Sequence, residues 1–80
     1  NFFPNPTQHS SSVIISSPES SEVVFTLYSI DGKQALNKVY QVAKGENRID
    51  IDVNNVATGS YIGIFQTNGQ VINRKLIIQE

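Results

Sequence analysis

Arg48-Ile49-Asp50-Ile51-Asp52-Val53 is the stretch on which the fold turns. Ile49, Ile51 and Val53 alternate with Arg48, Asp50 and Asp52. Successive side chains of a strand point to opposite faces, so this pattern predicts one buried face and one wet face. Such one-sided burial belongs to antiparallel sheets.

Strands and turns extend from it in both directions. Lys44-Gly45-Glu46-Asn47 reads as the turn before it. Further upstream, Glu22-Val23-Val24-Phe25-Thr26-Leu27-Tyr28-Ser29-Ile30 is almost pure strand former. Asp31-Gly32-Lys33 is a turn in which Gly32 takes a positive φ. Residues 34–42 suit a return strand. Ala35, Leu36 and Lys38 would also suit a helical turn, but the close flanking turns, with Val39, Tyr40 and Val42, favour the strand. Downstream, residues 54–60 form a loop with Gly59, and residues 61–67 a strand. Asn68-Gly69 is the best hairpin signal, because a type I′ turn needs positive φ at both central positions. Residues 70–78 make the final strand.

The N-terminal part reads differently. Pro4 and Pro6 block a helix, and the serines at 10–12, 16–17 and 20–21 are polar breakers around a short Val13-Ile14-Ile15 run. Residues 1–21 are therefore expected to be irregular or linker-like, with the main strands in 22–80 of a single domain spanning 1–80. Short strands with regularly recurring turns predict an all-β, immunoglobulin-like antiparallel β-sandwich of six to seven strands.

Composition narrows the function. Eighty residues form one domain at most, and the chain has no cysteine, which excludes disulfides and thiolate zinc sites. The net charge is −1, and Lys33, Lys38, Lys44, Arg48, Arg74 and Lys75 are scattered rather than clustered. Nucleic-acid binding and electrostatic membrane docking need a basic face that is missing here. No apolar run approaches the roughly 18–20 residues of a membrane span. With no signal peptide and no initiator Met, the chain reads as a piece excised from a longer protein, or as one matured by cleavage.

No catalytic constellation emerges. A nucleophile needs a rigidly held base, and the one histidine, His9, lies in the irregular part among solvated serines. Asp50 and Asp52 share a strand face, where paired carboxylates could bind calcium, but the wet-face reading is a solubilising edge with too few oxygen ligands nearby. The glycines punctuate turns and form no phosphate loop. Asn5-Pro6-Thr7 is no glycosylation sequon, because proline fills its middle position. Tyr28, Tyr40 and Tyr61 could stack sugars, but strand aromatics usually pack in the core or across strands. No catalytic residue, metal or cofactor is expected.

The order of signals carries a resemblance. Phe3-Pro4-Asn5-Pro6-Thr7 opens the chain, and Val24-Phe25-Thr26-Leu27-Tyr28-Ser29-Ile30-Asp31-Gly32-Lys33 follows. Gly45-Glu46-Asn47-Arg48-Ile49-Asp50-Ile51 and Val56-Ala57-Thr58-Gly59-Ser60-Tyr61-Ile62 come next, then Asn68-Gly69 and Lys75-Leu76-Ile77-Ile78. Together these resemble the type A C-terminal sorting domain of the type IX (Por) secretion system of the Bacteroidota, over essentially the whole length. The chain's end two residues after Ile78 fits a precursor's extreme C-terminus.

The resemblance implies a seven-stranded sandwich that addresses a larger N-terminal cargo to an outer-membrane translocon. It implies Sec passage to the periplasm, shuttle components, a surface peptidase of sortase-like function, and a cargo that ends at the cell surface or secreted. Its motif positions fall on Gly32, Lys33, Gly59, Tyr61, Lys75, Leu76, Ile77 and Ile78. The glycines suit turns, Tyr61 suits packing at a strand start, and the last strand suits β-augmentation through an open edge. An open edge also permits weak self-association. The chain departs from the family pattern in ending on Gln79-Glu80 rather than a basic residue, and in Val56 where a leucine is usual. Cleavage is expected at or before residues 4–21, where exposed backbone can enter a peptidase. The rival readings are a carbohydrate-binding module, which needs a row of exposed aromatics among Phe2, Phe3, Tyr28 and Tyr40, and a passive spacer.

Overall fold

The computed structural model describes residues 2–4 and 6–79. Six strands follow in order: β1 (Ser10–Ser17), β2 (Ser21–Ser29), β3 (Gln34–Val42), β4 (Gly45–Asp52), β5 (Gly59–Thr67) and β6 (Gln70–Ile78). They form a two-stranded sheet, β1-β4, and a four-stranded sheet, β3-β2-β5-β6. Every pairing between them is antiparallel. The two sheets pack as a β-sandwich, as the alternation in β4 predicts.

The alternation translates directly into the core. On β2, Val23, Phe25 and Leu27 are each 0% exposed, while Glu22, Val24 and Thr26 lie on the opposite, open side. Ile49 and Ile51 of β4 point inward with Val13 and Ile15 of β1, Val13 standing opposite Ile49 and the buried Ser11 opposite Ile51. Leu76 and Ile78 of β6 complete this cluster with Val53, Tyr61 and Phe65. Burying each such side chain stabilises the fold by about 1.5–3 kcal/mol. The Asn68-Gly69 hairpin forms as expected, with φ of 46° and 77° at its two central residues.

Two expectations fail. The irregular reading of residues 1–21 is wrong: Ser10–Ser17 is a full strand, paired with β4 along its whole length. Ser11, Ser12, Ser17 and Thr7 are buried, not solvated. Their hydroxyls have local partners: Ser11 Oγ donates to the Pro4 carbonyl at 2.7 Å, and Ser17 Oγ donates to the Glu19 carbonyl. A buried hydroxyl with such a partner escapes most of the desolvation penalty that burial alone imposes. Second, residues 44–47 are not simply a turn, because β4 starts at Gly45. The chain changes sheets at Ala43 and Lys44. The Asn47 side chain spans the corner, accepting from the Ala43 N–H at 3.0 Å and donating to the Ala43 carbonyl at 2.8 Å.

Residues 2–4 and 6–9 cross between the sheets. Phe3 exchanges backbone hydrogen bonds with Ser12 of β1, both at 2.9 Å. Thr7 donates its N–H to the Ile77 carbonyl and accepts the Gln79 N–H, again both at 2.9 Å. Both contacts are isolated bridges and not a further strand, so among the described residues the strands number six. The Phe2 ring, 5% exposed, enters the core against Phe25 and Phe65, with ring centroids 6.2 and 5.8 Å away.

Candidate recognition surface

The topology places the motif positions together. The β2–β3 turn with Gly32 and Lys33, the start of β5, and the finish of β6 all lie at one end of the four-stranded sheet. Ser29 at the end of β2 pairs with Tyr61, Tyr61 with Leu76, and Gly59 with Ile78. Lys33 and Tyr61 line one shallow cleft there, together with residues 55–57.

Within that cluster the roles divide by burial. Leu76 and Ile78 are 0% and 3% exposed, so they anchor the terminal strand in the core. Tyr61 is buried as well, and its hydroxyl donates to the Ala57 carbonyl at 2.6 Å, which fastens the loop after β4 to the start of β5. That is the packing role at a strand start expected for it. Gly32 has φ of 89° in a tight turn, where its N–H donates to the Ser29 carbonyl at 2.9 Å. Gly59 also has a positive φ. Lys33 and Lys75 are exposed and Ile77 is half-buried.

Strand alternation puts Lys75 and Ile77 on the outer face of the four-stranded sheet, opposite to Leu76 and Ile78. Lys75 pairs there with Ile62, which in turn pairs with Tyr28 of β2. The terminal run is thus half core anchor and half outer surface.

One expectation about this strand is corrected. β6 is an edge strand, but its outer edge is not open at its end, because Thr7 already pairs with it in parallel at Ile78. Backbone augmentation at residues 77–79 therefore conflicts with the chain's own N-terminal segment. The acidic terminal residue, Glu80, lies outside the described residues.

The other candidates separate. Phe2 is buried, Phe3 lies on the smaller sheet, and Tyr28 and Tyr40 sit on opposite faces of the larger one, so they make no aromatic row. Asp50 is held by protein partners: it accepts from Ser12 Oγ, and from Arg48 Nε at 2.9 Å. Those bonds, the serine's first, hold its carboxyl below the usual carboxylate range. Asp52 accepts from the Asn54 N–H at 2.9 Å, capping the bend after β4. His9 faces Asn54, with Nδ1 and Oδ1 2.9 Å apart, and not a serine hydroxyl.

Comparison with known proteins decides the family. The model of the secretion system C-terminal sorting domain (Por_Secre_tail) matches residues 1–79. The chain belongs to that family. It is a sorting-signal domain of the type IX secretion system, recognised by that system's machinery, and the domain is not itself catalytic. Such a signal directs export across the outer membrane to the cell surface or the medium. The fold agrees with a region of dimeric latent PorU from Porphyromonas gingivalis, at a TM-score of 0.72 and 18% identity. That match covers 98% of this chain but 9% of PorU, so the chain corresponds to a small part of that protein. Among curated protein sequences there is no match.

Sequence reasoning named the motif positions but missed two supports behind them. Phe2 is a core residue, and Gly63 is the position that makes room for it. A Cβ on Gly63 would lie 2.9 Å from Phe25 Cε1 and 3.1 Å from Phe2 Cζ. The signal was there in Gly63 itself, a glycine inside a strand pattern, which marks a close approach.

Proposed function

We propose that the type IX machinery reads this domain at the end of the four-stranded sheet where the motif positions converge, through exposed side chains rather than through the backbone edge of β6. The observation that carries this reading is the split of the terminal run into buried Leu76 and Ile78 and outward Lys75 and Ile77. Lys33 and Lys75 supply charge for the contact, and Ile77 with Ile62 supplies apolar area. Gly32, Gly59, Tyr61, Leu76 and Ile78 hold these groups in place. The readers would be the outer-membrane translocon and its shuttle components, met from the periplasm. A surface peptidase of sortase-like function would act on the chain ahead of the fold. Residues 10–17 are locked in a strand, so a cut upstream of Phe2 is the one that leaves the sandwich intact. Any catalytic activity would belong to the cargo.

The test fuses residues 1–80 behind a Sec-exported fluorescent reporter in a host with a working type IX system. Truncation of the terminal run would remove two core residues and so confound recognition with folding. Lys75→Ala with Ile77→Ala leaves Leu76 and Ile78 in place. Periplasmic retention of this folded double variant, with export of the parent fusion, is the expected result. Undiminished export of the double variant would move recognition elsewhere, and retention of the folded parent would sink the sorting role of this chain.

A further inference from the structure

Phe3, Thr7 and His9 supply the backbone hydrogen bonds by which the N-terminal segment reaches both sheets. On the smaller sheet, Phe3 pairs with Ser12, the Pro4 carbonyl accepts from Ser11 Oγ, and the His9 carbonyl accepts the Val53 N–H at 2.8 Å. On the larger sheet, Thr7 pairs with β6 at residues 77 and 79. Between these attachments the Phe2 ring fills the space that Gly63 leaves open over Phe25 and Phe65. Outside these attachments the segment is superficial: Phe3, Pro4, Pro6, Gln8 and His9 are all exposed.

The two anchors are mechanically joined. Pro4 and Pro6 fix φ in the short connection from Phe2 to Thr7, so few conformations separate one anchor from the other. When one anchor is docked, the other is held near its site at high effective concentration, and loss of either weakens both.

The geometry points to a strand-acceptor site on this domain that its own N-terminal segment occupies as a latch. The site consists of the aromatic seat over Gly63 and the outer edge of β6 at residues 77–79. Its ligand class is an extended segment with an aromatic side chain five residues ahead of the strand-pairing residue, supplied in cis by Phe2 and Thr7. The consequence goes beyond the sorting reading and does not depend on it. Any strand that is to pair with the end of β6 must first displace the latch, and a pull on the chain ahead of Phe2 loosens the terminal run at the far side of the sandwich.

Amide hydrogen exchange on the whole chain tests this, because it resolves partial openings by free energy and denaturant slope. In the parent, the amides of Phe3, Ser12, Val53 and Gln79 should open as one unit, with a smaller slope than the central β2–β5 amides. Phe2→Ala should accelerate all four together, by about a hundredfold, since it strips an aromatic ring from a packed seat. Phe2→Leu replaces it if the alanine variant does not fold. A synthetic peptide of residues 1–9, added to the Phe2 variant, should bind and restore protection to the Gln79 amide. Two exchange results overturn the latch: Gln79 unmoved while Phe3 and Ser12 accelerate, or all four exchanging only with the core. A peptide that leaves Gln79 unprotected overturns the acceptor site.

Discussion

Gly63 and Gly69 are both glycines in the last hairpin, yet they are needed for different reasons. Gly69 has φ of 77° and open space around it, so a side chain there would be strained by backbone conformation alone. Gly63 has no such φ, but a Cβ would press into Phe25 and Phe2, two rings locked in the core. Overpacking of this kind costs about 1–3 kcal/mol. Gly63→Ala should therefore lower the denaturant midpoint, and Phe2→Leu in the same chain should recover part of the loss by giving the methyl room. Gly69→Ala should cost about 1–2 kcal/mol and gain nothing from Phe2→Leu. If Gly63→Ala and Phe2→Leu simply add, the glycine is not there to seat the ring. The same logic explains which residues a reader of the sequence can find. Positive-φ glycines sit beside other turn formers and announce themselves, as Asp31-Gly32 and Asn68-Gly69 do. A glycine kept for a ring sixty-one positions earlier in the chain has no local signature beyond its presence in a strand.

At the scale of elements, β1 is where sequence and structure part. Its serines look like breakers because serine prefers turns and caps in isolation. In the fold they face partners that exist only after assembly: the Pro4 carbonyl for Ser11, and Asp50 with Arg48 for Ser12. Tertiary context overrides propensity here, whereas the Val, Ile and Phe of β2 and the alternation of β4 are decided locally. The pairing of β1 with β4 also fixes what removing the N-terminal part does. Among the described residues β4 has no other strand neighbour, so without β1 its backbone groups lose their ladder and Ile49 and Ile51 lose Val13 and Ile15 beside them. Residues 22–80 should therefore fail to fold, showing poor amide dispersion and no cooperative melt, although they contain five of the six strands. A linker-like N-terminal part would predict the opposite, and a cooperatively folded 22–80 fragment would restore that reading. The pairing of Ser29 with Tyr61, which gathers the motif positions, joins strands distant in sequence and leaves no local pattern, whereas the turn at Asp31-Gly32 was legible from its own residues. The return of Thr7 to β6 was not, because a single-residue bridge leaves no pattern.

At the scale of the molecule, the larger sheet has two outer edges, β3 and β6, and an exported chain must keep both from pairing with other copies. The inward faces of these edge strands each carry one cation at mid-strand. Lys38 stands opposite Phe25 and Arg74 stands opposite Gly63, so by register both belong to the face that packs on the smaller sheet. Both side chains are nevertheless exposed, since two covering strands do not reach across four. A strand added alongside β3 or β6 would extend the core over these charges and strip their water, which is costly for an unpaired cation. Arg74 and Lys38 thus defend the stretches of edge that Thr7 does not cover. Lys38→Val with Arg74→Val removes the obstacle and adds β-formers at both edges, so the variant should form dimers or larger species by sedimentation at concentrations where the parent is a monomer. Its midpoint in denaturant should not fall, because neither side chain is buried in the parent. A double variant that stays monomeric would show that the charges are incidental. The shapes of the edge strands themselves would then be what keeps the domain single.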